Sequence, residues 1–335
     1  MMLWSLIAVA GGLALLAWSA DRFVFGAAAI ARNLGVSPLI VGLTIVGFGT
    51  SAPELVVSTL AALQGNTNLA IGNALGSNIA NIGLVLGLTA LLSPFTVRSR
   101  IIKREFPVMF AAMGLTLLLI WDGYLGKIDG VILTVSLVLL IAWTVWVGLN
   151  EQHPGHREDV TTKPAHDALE IEFQQELTAR VSTTKALAWL IVGLLLLLLS
   201  ARILVWGAIN IAVYFGVSDL IIGLTIVAIG TSLPEVAAAV VSAHKGEHDI
   251  AIGNIVGSNI FNLLGVIGIP GLLHPAAIEG AVLKRDFPVM LLLSLAMLIV
   301  AIRLRGQTRV NRIHGALLLM AYAGYLGLLA LTLSA

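Results

Sequence analysis

The stretch GLTIVGFGTSAPEL at residues 42–55 returns as GLTIVAIGTSLPEV at residues 223–236. Ten of the fourteen positions are identical, at an offset of 181 residues. The same offset aligns AIGNALGSNIAN at 70–81 with AIGNIVGSNIFN at 251–262, and IIKREFPVM at 101–109 with VLKRDFPVM at 282–290. The chain is therefore an internal duplication.

The composition places the chain in a membrane. Hydrophobic residues make up 58% of it, charged residues only 11%, and its mean hydropathy is +0.99. Soluble domains carry about 25% charged residues. The net charge of +1 gives no reason to expect a nucleic-acid partner, and the absence of cysteine excludes disulfides and thiolate metal sites. The lipid bilayer is the expected surrounding.

Apolar runs long enough to cross about 30 Å of hydrocarbon as helices occur ten times. They lie at about 3–21, 38–63, 69–92, 105–121, 125–148, 186–213, 219–243, 250–274, 287–303 and 313–333. The offset relates the first run to the sixth, so we interpret the N-terminal run as a retained helix and not as a signal peptide. Each half then has five spans, and an odd number inverts the second half relative to the first. The predicted fold is an all-α polytopic membrane protein with ten transmembrane helices in two inverted five-helix repeats.

Loop charges predict the orientation, because cytoplasmic loops concentrate Lys and Arg. With the N-terminus outside, fifteen basic residues fall in cytoplasmic segments and three in external ones, Lys127, Lys284 and Arg285; Arg202 lies inside a span. Both termini are expected outside a prokaryotic plasma (inner) membrane. The predicted domains are a first repeat at 1–148, a cytoplasmic linker at 149–185 with one amphipathic helix near 165–180, and a second repeat at 186–335.

The duplicated TSxPE segments carry the first group of candidate ligands. Proline has no N–H, so Pro53 leaves the carbonyl of Gly49 without its helical donor, and Pro234 does the same to Gly230. A carboxylate within a membrane helix is costly and is by default a functional candidate. Helical spacing places the preceding hydroxyls on the same face as each carboxylate. This group consists of Gly49, Thr50, Ser51 and Glu54 in the first half and Gly230, Thr231, Ser232 and Glu235 in the second.

The third and eighth spans carry a second group, a polar stripe at positions i, i+4 and i+8. It comprises Asn73, Ser77 and Asn81 in the first half and Asn254, Ser258 and Asn262 in the second. Both groups together supply oxygen ligands and two negative charges, with no histidine or sulfur. Ca²⁺ takes six to eight such oxygens in flexible geometry, whereas transition metals favour His or Cys. A lone polar residue in a span often only joins helices, but the duplication in inverted halves is typical of the midplane site of a secondary transporter.

In these motifs the chain resembles the calcium/cation antiporter superfamily, and most of all its prokaryotic sodium/calcium exchanger-like branch. The resemblance covers nearly the whole chain and rests on GTSAPEL, GTSLPEV, GNALGSNIAN and GNIVGSNIFN. It implies ten helices, alternating access, and exchange of Ca²⁺ for Na⁺ at Glu54, Glu235 and the hydroxyl and amide ligands Thr50, Ser51, Thr231, Ser232, Ser77, Ser258, Asn81 and Asn262. The chain departs from many relatives at Asn262, where potassium-dependent exchangers have Asp.

Three alternatives to Ca²⁺/Na⁺ exchange remain open at this point. A Ca²⁺/H⁺ antiporter could use the same carboxylates. A cation channel is less expected, because the inverted repeat and broken helices are less typical of a channel than a pore built around an oligomer axis. A membrane enzyme is not expected, since the spans contain no catalytic His, Cys or nucleophile constellation, and no cofactor is expected beside the transported ions.

Overall fold

The computed structural model describes residues 2–97, 99–150, 181–216, 228–301 and 308–334, and these are mostly helical. The helices of the first half are α1 (Met2–Leu34), α2 (Pro38–Thr50), α3 (Ala52–Leu63), α4 (Thr67–Leu92), α5 (Ser99–Leu119) and α6 (Lys127–Asn150). Those of the second half are α7 (Thr183–Tyr214), α8 (Ala228–Thr231), α9 (Leu233–His244), α10 (His248–Leu273), α11 (Phe287–Ala301) and α12 (Arg312–Ser334).

The first helix is longer than the predicted span at 3–21, since α1 continues to Leu34. No proline precedes Gly35, which adopts φ +65°, and Pro38 follows shortly after. The C-terminal half of α1 is buried because α1 packs antiparallel along α7. Gly26 lies against the α7 backbone at Leu190, and Gly207 lies against α1 at Ser5. Small residues at such crossings let two helix backbones approach closely.

The predicted second span, 38–63, is one helix broken at Ser51. The two parts, α2 and α3, meet at an angle of 45°. Ser51 has φ −82° and ψ 3°, and Ser232 in the second half has nearly the same values, −87° and 1°. A proline stands in the first two positions of both following helices, α3 and α9. Proline is tolerated there because those N–H groups have no partner within the helix.

The helices α4 and α10 form the centre of the molecule. All residues of the most apolar window of α10 are buried, although its composition would allow it to cross a bilayer alone. Each of the two helices contains a π-helical segment, Asn81–Leu86 in α4 and Asn262–Val266 in α10. Such segments are rare and often occur at functional sites. Here each one begins at a predicted ligand, Asn81 or Asn262.

Six of the described helices are long and apolar enough to cross a membrane, and the bent pair α2–α3 makes a seventh. They match the predicted spans at 3–21, 38–63, 69–92, 125–148, 186–213, 250–274 and 313–333. The predicted spans at 105–121 and 287–303 correspond to α5 and α11. For the span at 219–243, the described part is α8 and α9, and the rest lies outside the described residues. Most of the linker, with the helix expected near 165–180, also lies outside them.

Four short strands occur among the described residues, and the all-α prediction did not include them. Strand β1 (Phe95–Val97) pairs antiparallel with β4 (Thr308–Val310), and β2 (Tyr124–Leu125) pairs with β3 (Ala276–Ala277). Strands β1 and β2 flank α5, a helix of 21 residues and so about 30 Å long. The repeat offset relates Phe95 to Ala276. The related strands β1 and β3 therefore belong to sheets at opposite ends of α5.

Candidate cation site

The two predicted glutamates lie in the first turns of α3 and α9, directly after the helix breaks. Glu54 and Glu235 are each only 1% exposed. A helix N-terminus favours negative charge, because its first N–H groups have no partner within the helix. The helix breaks therefore serve two purposes. They create a backbone environment that accepts a carboxylate, and they keep that carboxylate inside the protein.

The carboxylates are bound by hydroxyls of neighbouring helices. Ser51 Oγ lies 3.4 Å from Oε1 of Glu235, and Ser77 Oγ lies 3.4 Å from Oε1 of Glu54. Helical spacing had placed Ser51 on the face of Glu54. Because the helix is broken at Ser51, its hydroxyl instead contacts the glutamate of the other half.

The hydroxyl of Thr50 also contacts the second half. Its Oγ1 lies 3.0 Å from Asn254 Oδ1 and 3.4 Å from Ser258 Oγ, and Ser258 Oγ donates to the carbonyl of Gly47 at 3.3 Å. Glycines allow this approach, because a Cβ at Gly47 would lie 3.0 Å from the backbone nitrogen of Ser258. The polar stripe of α10 is thus packed directly against α2.

The first member of each stripe holds the backbone of the glutamate in its own half. Asn73 Nδ2 donates to the carbonyl of Glu54 at 3.1 Å, and Asn254 Nδ2 donates to the carbonyl of Glu235 at 3.3 Å. These two bonds are related by the repeat offset. They fix α3 to α4 and α9 to α10 at the depth of the carboxylates.

Two further asparagines, Asn78 and Asn259, belong to the site although the sequence analysis did not select them. Both are completely buried. Asn81 Nδ2 donates to Asn259 Oδ1 at 3.2 Å, and Asn262 Nδ2 donates to Asn78 Oδ1 at 3.0 Å. Residues 78 and 259 follow the stripe serine by one position, so they fall off the i, i+4 face. Their equivalence at offset 181 was the signal that could have identified them.

The asparagine contacts determine which amide atoms remain available. The Nδ2 groups of Asn81 and Asn262 are committed to the opposite helix, while the Oδ1 atoms of both residues are buried without a hydrogen-bond partner. Three more buried oxygens of the predicted site are also unpartnered. The full set is Glu54 Oε2, Glu235 Oε2, Asn81 Oδ1, Asn262 Oδ1 and Ser232 Oγ. Buried polar atoms are rarely left unpaired in folded proteins.

Three predicted ligands are placed differently from the rest. Thr231 is half-buried. Together with Gly230, Pro53 and Pro234 it lines a cavity. Gly49 faces the side chain of Leu194 on α7, and Gly230 faces that of Val205 on the same helix. Both glycines thus lie on the side of the broken helices that faces α7.

The chemistry of the site is that of a hard-cation site. Among the described residues there is no group of three or more His, Cys, Asp or Glu side chains that could hold a metal ion. The site instead combines two carboxylates with neutral amide and hydroxyl oxygens. Such a set suits cations that prefer oxygen ligands and disfavours transition metals, which prefer nitrogen or sulfur.

Comparison with known proteins gives a consistent set of relatives. A family model described as "Sodium/calcium exchanger protein" matches residues 4–149 and 185–331. A protein of Alkalimonas amylolytica named antiporter CaxA is 49% identical over 324 residues, which cover 97% of this chain and 98% of that protein. Sodium/calcium exchanger MaX1 of Methanosarcina acetivorans is 31% identical, with 94% and 95% covered. A solved structure of the sodium-calcium exchanger NCX_Mj, soaked with zero Na⁺ and Ca²⁺, has a TM-score of 0.80 at 31% identity and covers 98% of this chain and 100% of its own.

Proposed function

Since the chain belongs to the sodium/calcium exchanger protein family, we propose that it is a secondary active antiporter that exchanges Ca²⁺ for Na⁺. Exchange occurs by alternating access at the site around Glu54 and Glu235. The observation that carries this proposal is the set of five buried, unpartnered oxygens on Glu54, Glu235, Asn81, Asn262 and Ser232.

Unpaired buried oxygens are costly unless something neutralises them. A buried polar group without a partner costs about 1–3 kcal/mol, and a buried charge costs considerably more. A cation among these oxygens removes both costs. Two ionised glutamates balance one Ca²⁺ or two Na⁺, so the same pocket can hold either ion at neutral total charge. Exchange requires that both ions can occupy one site in turn.

The fold we propose has ten transmembrane helices in two inverted five-helix repeats, 1–148 and 186–335, joined by the linker 149–185. The strand pairing supports the inversion, because the repeat-related strands β1 and β3 belong to sheets at opposite ends of α5. The repeat-related contacts Asn73 to Glu54 and Asn254 to Glu235 support a midplane site shared by both halves. In transporters of this kind, one part of the protein moves against another around a fixed site.

We further propose that both termini face outward and that the linker is cytoplasmic, in a prokaryotic inner membrane. The excess of basic residues on the linker side supports this orientation. The natural chain has no cysteine, so a single Cys introduced at position 2 or 160 gives an unambiguous label. A membrane-impermeant maleimide applied to intact cells should label the first and not the second. The reverse result would invert the proposed orientation.

A Ca²⁺/H⁺ antiporter is the second candidate, favoured by the burial of both carboxylates of the site. Protons bound to Glu54 and Glu235 could be exchanged for Ca²⁺ in place of Na⁺. If the protein is Na⁺-coupled, protons only compete with Na⁺ and Ca²⁺ for the two carboxylates. Na⁺-driven flux is then inhibited as the pH falls, and raising Ca²⁺ relieves the inhibition. Under the proton hypothesis a pH gradient alone drives Ca²⁺ movement.

The decisive experiment is ⁴⁵Ca²⁺ flux into proteoliposomes with an imposed Na⁺ gradient, an imposed pH gradient, or neither. We expect uptake with the Na⁺ gradient and none with the other two. The double variant Glu54→Gln, Glu235→Gln is the control for leakage. Uptake driven by a pH gradient without Na⁺ would establish the proton-coupled alternative. Uptake that continues without any counter-gradient, down the Ca²⁺ gradient alone, would indicate a channel.

A further inference from the structure

A cavity of about 490 Å³ lies between α3, α7 and the start of α9. Its wall on α3 includes Val56 and Val57, and its wall on α7 includes Leu199 and Arg202. Val56, Val57 and Leu199 are 56%, 40% and 50% exposed. The helices α3 and α7 belong to candidate membrane spans, so we expect their exposed valine and leucine side chains to face lipid and the cavity to open toward the hydrocarbon of the bilayer. Its volume lies within the range typical of small-molecule sites, about 300–1,000 Å³.

Arg202 is the only charged group among the described residues that line this cavity. It is exposed, and within the described part of the chain it makes no hydrogen bond or ion pair. Charged side chains at membrane depth are costly and usually pair with an opposite charge. A cationic wall also disfavours passage of Na⁺ or Ca²⁺ through this opening. The charge of the cavity therefore matches an anion and not the proposed transported ions.

The repeat accounts for the lack of a partner for Arg202 among the described residues. Its equivalent in the first half is Asp21, whose Oδ1 lies 2.7 Å from Nζ of Lys245. The residue equivalent to Lys245 in the first half is Gln64, which has no charge. Asp21 on α1 thus has a counter-ion, whereas the equivalent Arg202 on α7 has none among the described residues.

We propose that this cavity binds one anionic phospholipid, with its phosphate paired to Arg202 and an acyl chain against Val56, Val57 and Leu199. Guanidinium groups bind phosphate oxygens in bidentate geometry. The apolar wall supplies the contacts for the chain, and the opening to the bilayer supplies the route of entry. The lipid lies against Pro53 and Pro234, next to the helix breaks that hold both glutamates.

The test is native mass spectrometry of the full chain in detergent, with phosphatidylglycerol and phosphatidylcholine of identical acyl chains offered at equal concentration. We expect the natural protein to retain one phosphatidylglycerol in preference to phosphatidylcholine. Arg202→Gln should lower this retention roughly tenfold, which is the value of one charge-assisted hydrogen bond. Arg312→Gln, which removes an exposed arginine at the start of α12 with the same change of net charge, should have no effect.

A second variant keeps the test valid if Arg202→Gln does not fold. Val57→Trp fills the cavity and leaves the arginine in place, so it should also lose the lipid. Equal retention of the two lipids by the natural protein, or unchanged phosphatidylglycerol retention in either variant, overturns the proposal. Displacement of the lipid by millimolar inorganic phosphate would reduce the site to a simple anion site and would also overturn it.

Discussion

Ser51 Oγ lies 3.4 Å from Oε1 of Glu235, so a hydroxyl of the first half contacts the carboxylate of the second. The other oxygen of that carboxylate is buried without a partner. Each half of the molecule is therefore incomplete alone. Relative movement of the halves would change the contacts of Glu235 directly.

Replacing Ser51 by Ala should weaken Ca²⁺ binding by about tenfold or more. The change leaves Glu235 Oε1 without this donor, and a hydrogen bond to a charged group is worth roughly 1.5–3 kcal/mol. Isothermal titration of the purified protein with Ca²⁺ measures the effect. Ser19→Ala is the matched control, since Ser19 is equally buried but bonds only carbonyls of its own helix. Equal affinities for the two variants would show that the contact does not contribute to the site.

Glu54→Gln and Glu235→Gln should each abolish Ca²⁺ transport while the protein remains folded. Each removes one of the two carboxylates of the site, and loss of one partner of a buried charge pair costs 2–5 kcal/mol or more, at least about thirtyfold in affinity. Uptake in proteoliposomes measures the loss. Glu279→Gln, an exposed glutamate in the second half, is the control. Normal uptake by either site variant would remove that glutamate from the proposed mechanism.

Pro53→Ala and Pro234→Ala should weaken binding of both Ca²⁺ and Na⁺. Alanine restores an N–H that can bond the carbonyl of Gly49 or Gly230, so a continuous helix can replace the break. The carbonyl would then no longer be available to an ion. Pro107→Ala is the control, because Pro107 also lies inside a helix, α5, but outside the site. Unchanged affinities for both ions in both variants would show that neither carbonyl is a ligand.

Sequence reasoning could predict the parts of the molecule that repeat. The offset of 181 residues identified both glutamates, both helix breaks and the stripes of α4 and α10, because these features depend on local residue patterns. It could not predict that Ser51 contacts Glu235, since the bend at Ser51 redirects the side chain beyond ideal helical spacing. It also missed the strands β1 to β4, which are too short to have a periodic pattern.

The same limit explains the missed asparagines. Asn78 and Asn259 lie off the polar face that helical spacing defines, and their role depends on how closely α4 crosses α10. That distance follows from tertiary packing and not from either helix alone. The extension of α1 to Leu34 has a similar origin, because residues such as Phe23 and Ala27 are completely buried within the protein.

Asn78→Ala should lower Ca²⁺ affinity although Asn78 itself is not an ion ligand. The change removes the acceptor of Asn262 Nδ2, so the amide is free to rotate and its Oδ1 is no longer held in place. We expect roughly a tenfold loss from one such hydrogen bond. Asn210→Ala is the control, since Asn210 is half-buried and bonds a carbonyl of its own helix, α7.

A double-mutant cycle distinguishes this positioning role from general destabilisation. If Asn78 acts through Asn262, Asn78→Ala should have no further effect on Ca²⁺ affinity once Asn262→Ala is present. Additive losses in the double variant would mean that Asn78 acts independently of Asn262.

The amide at position 262 also predicts that exchange proceeds without K⁺. With Glu54 and Glu235 ionised and Asn262 neutral, the pocket has a charge of −2. One Ca²⁺ or two Na⁺ balance this charge. Adding K⁺ to bound Ca²⁺ would leave a net positive charge in a buried site, at an electrostatic cost that neighbouring dipoles offset only in part. Na⁺-driven ⁴⁵Ca²⁺ flux should therefore be the same when choline replaces K⁺. Asn262→Asp adds a third carboxylate and should make the flux sensitive to K⁺, whereas Asn210→Asp, at a half-buried position of α7 outside the site, should not. An absolute K⁺ requirement in the natural protein would contradict this account of the charge balance.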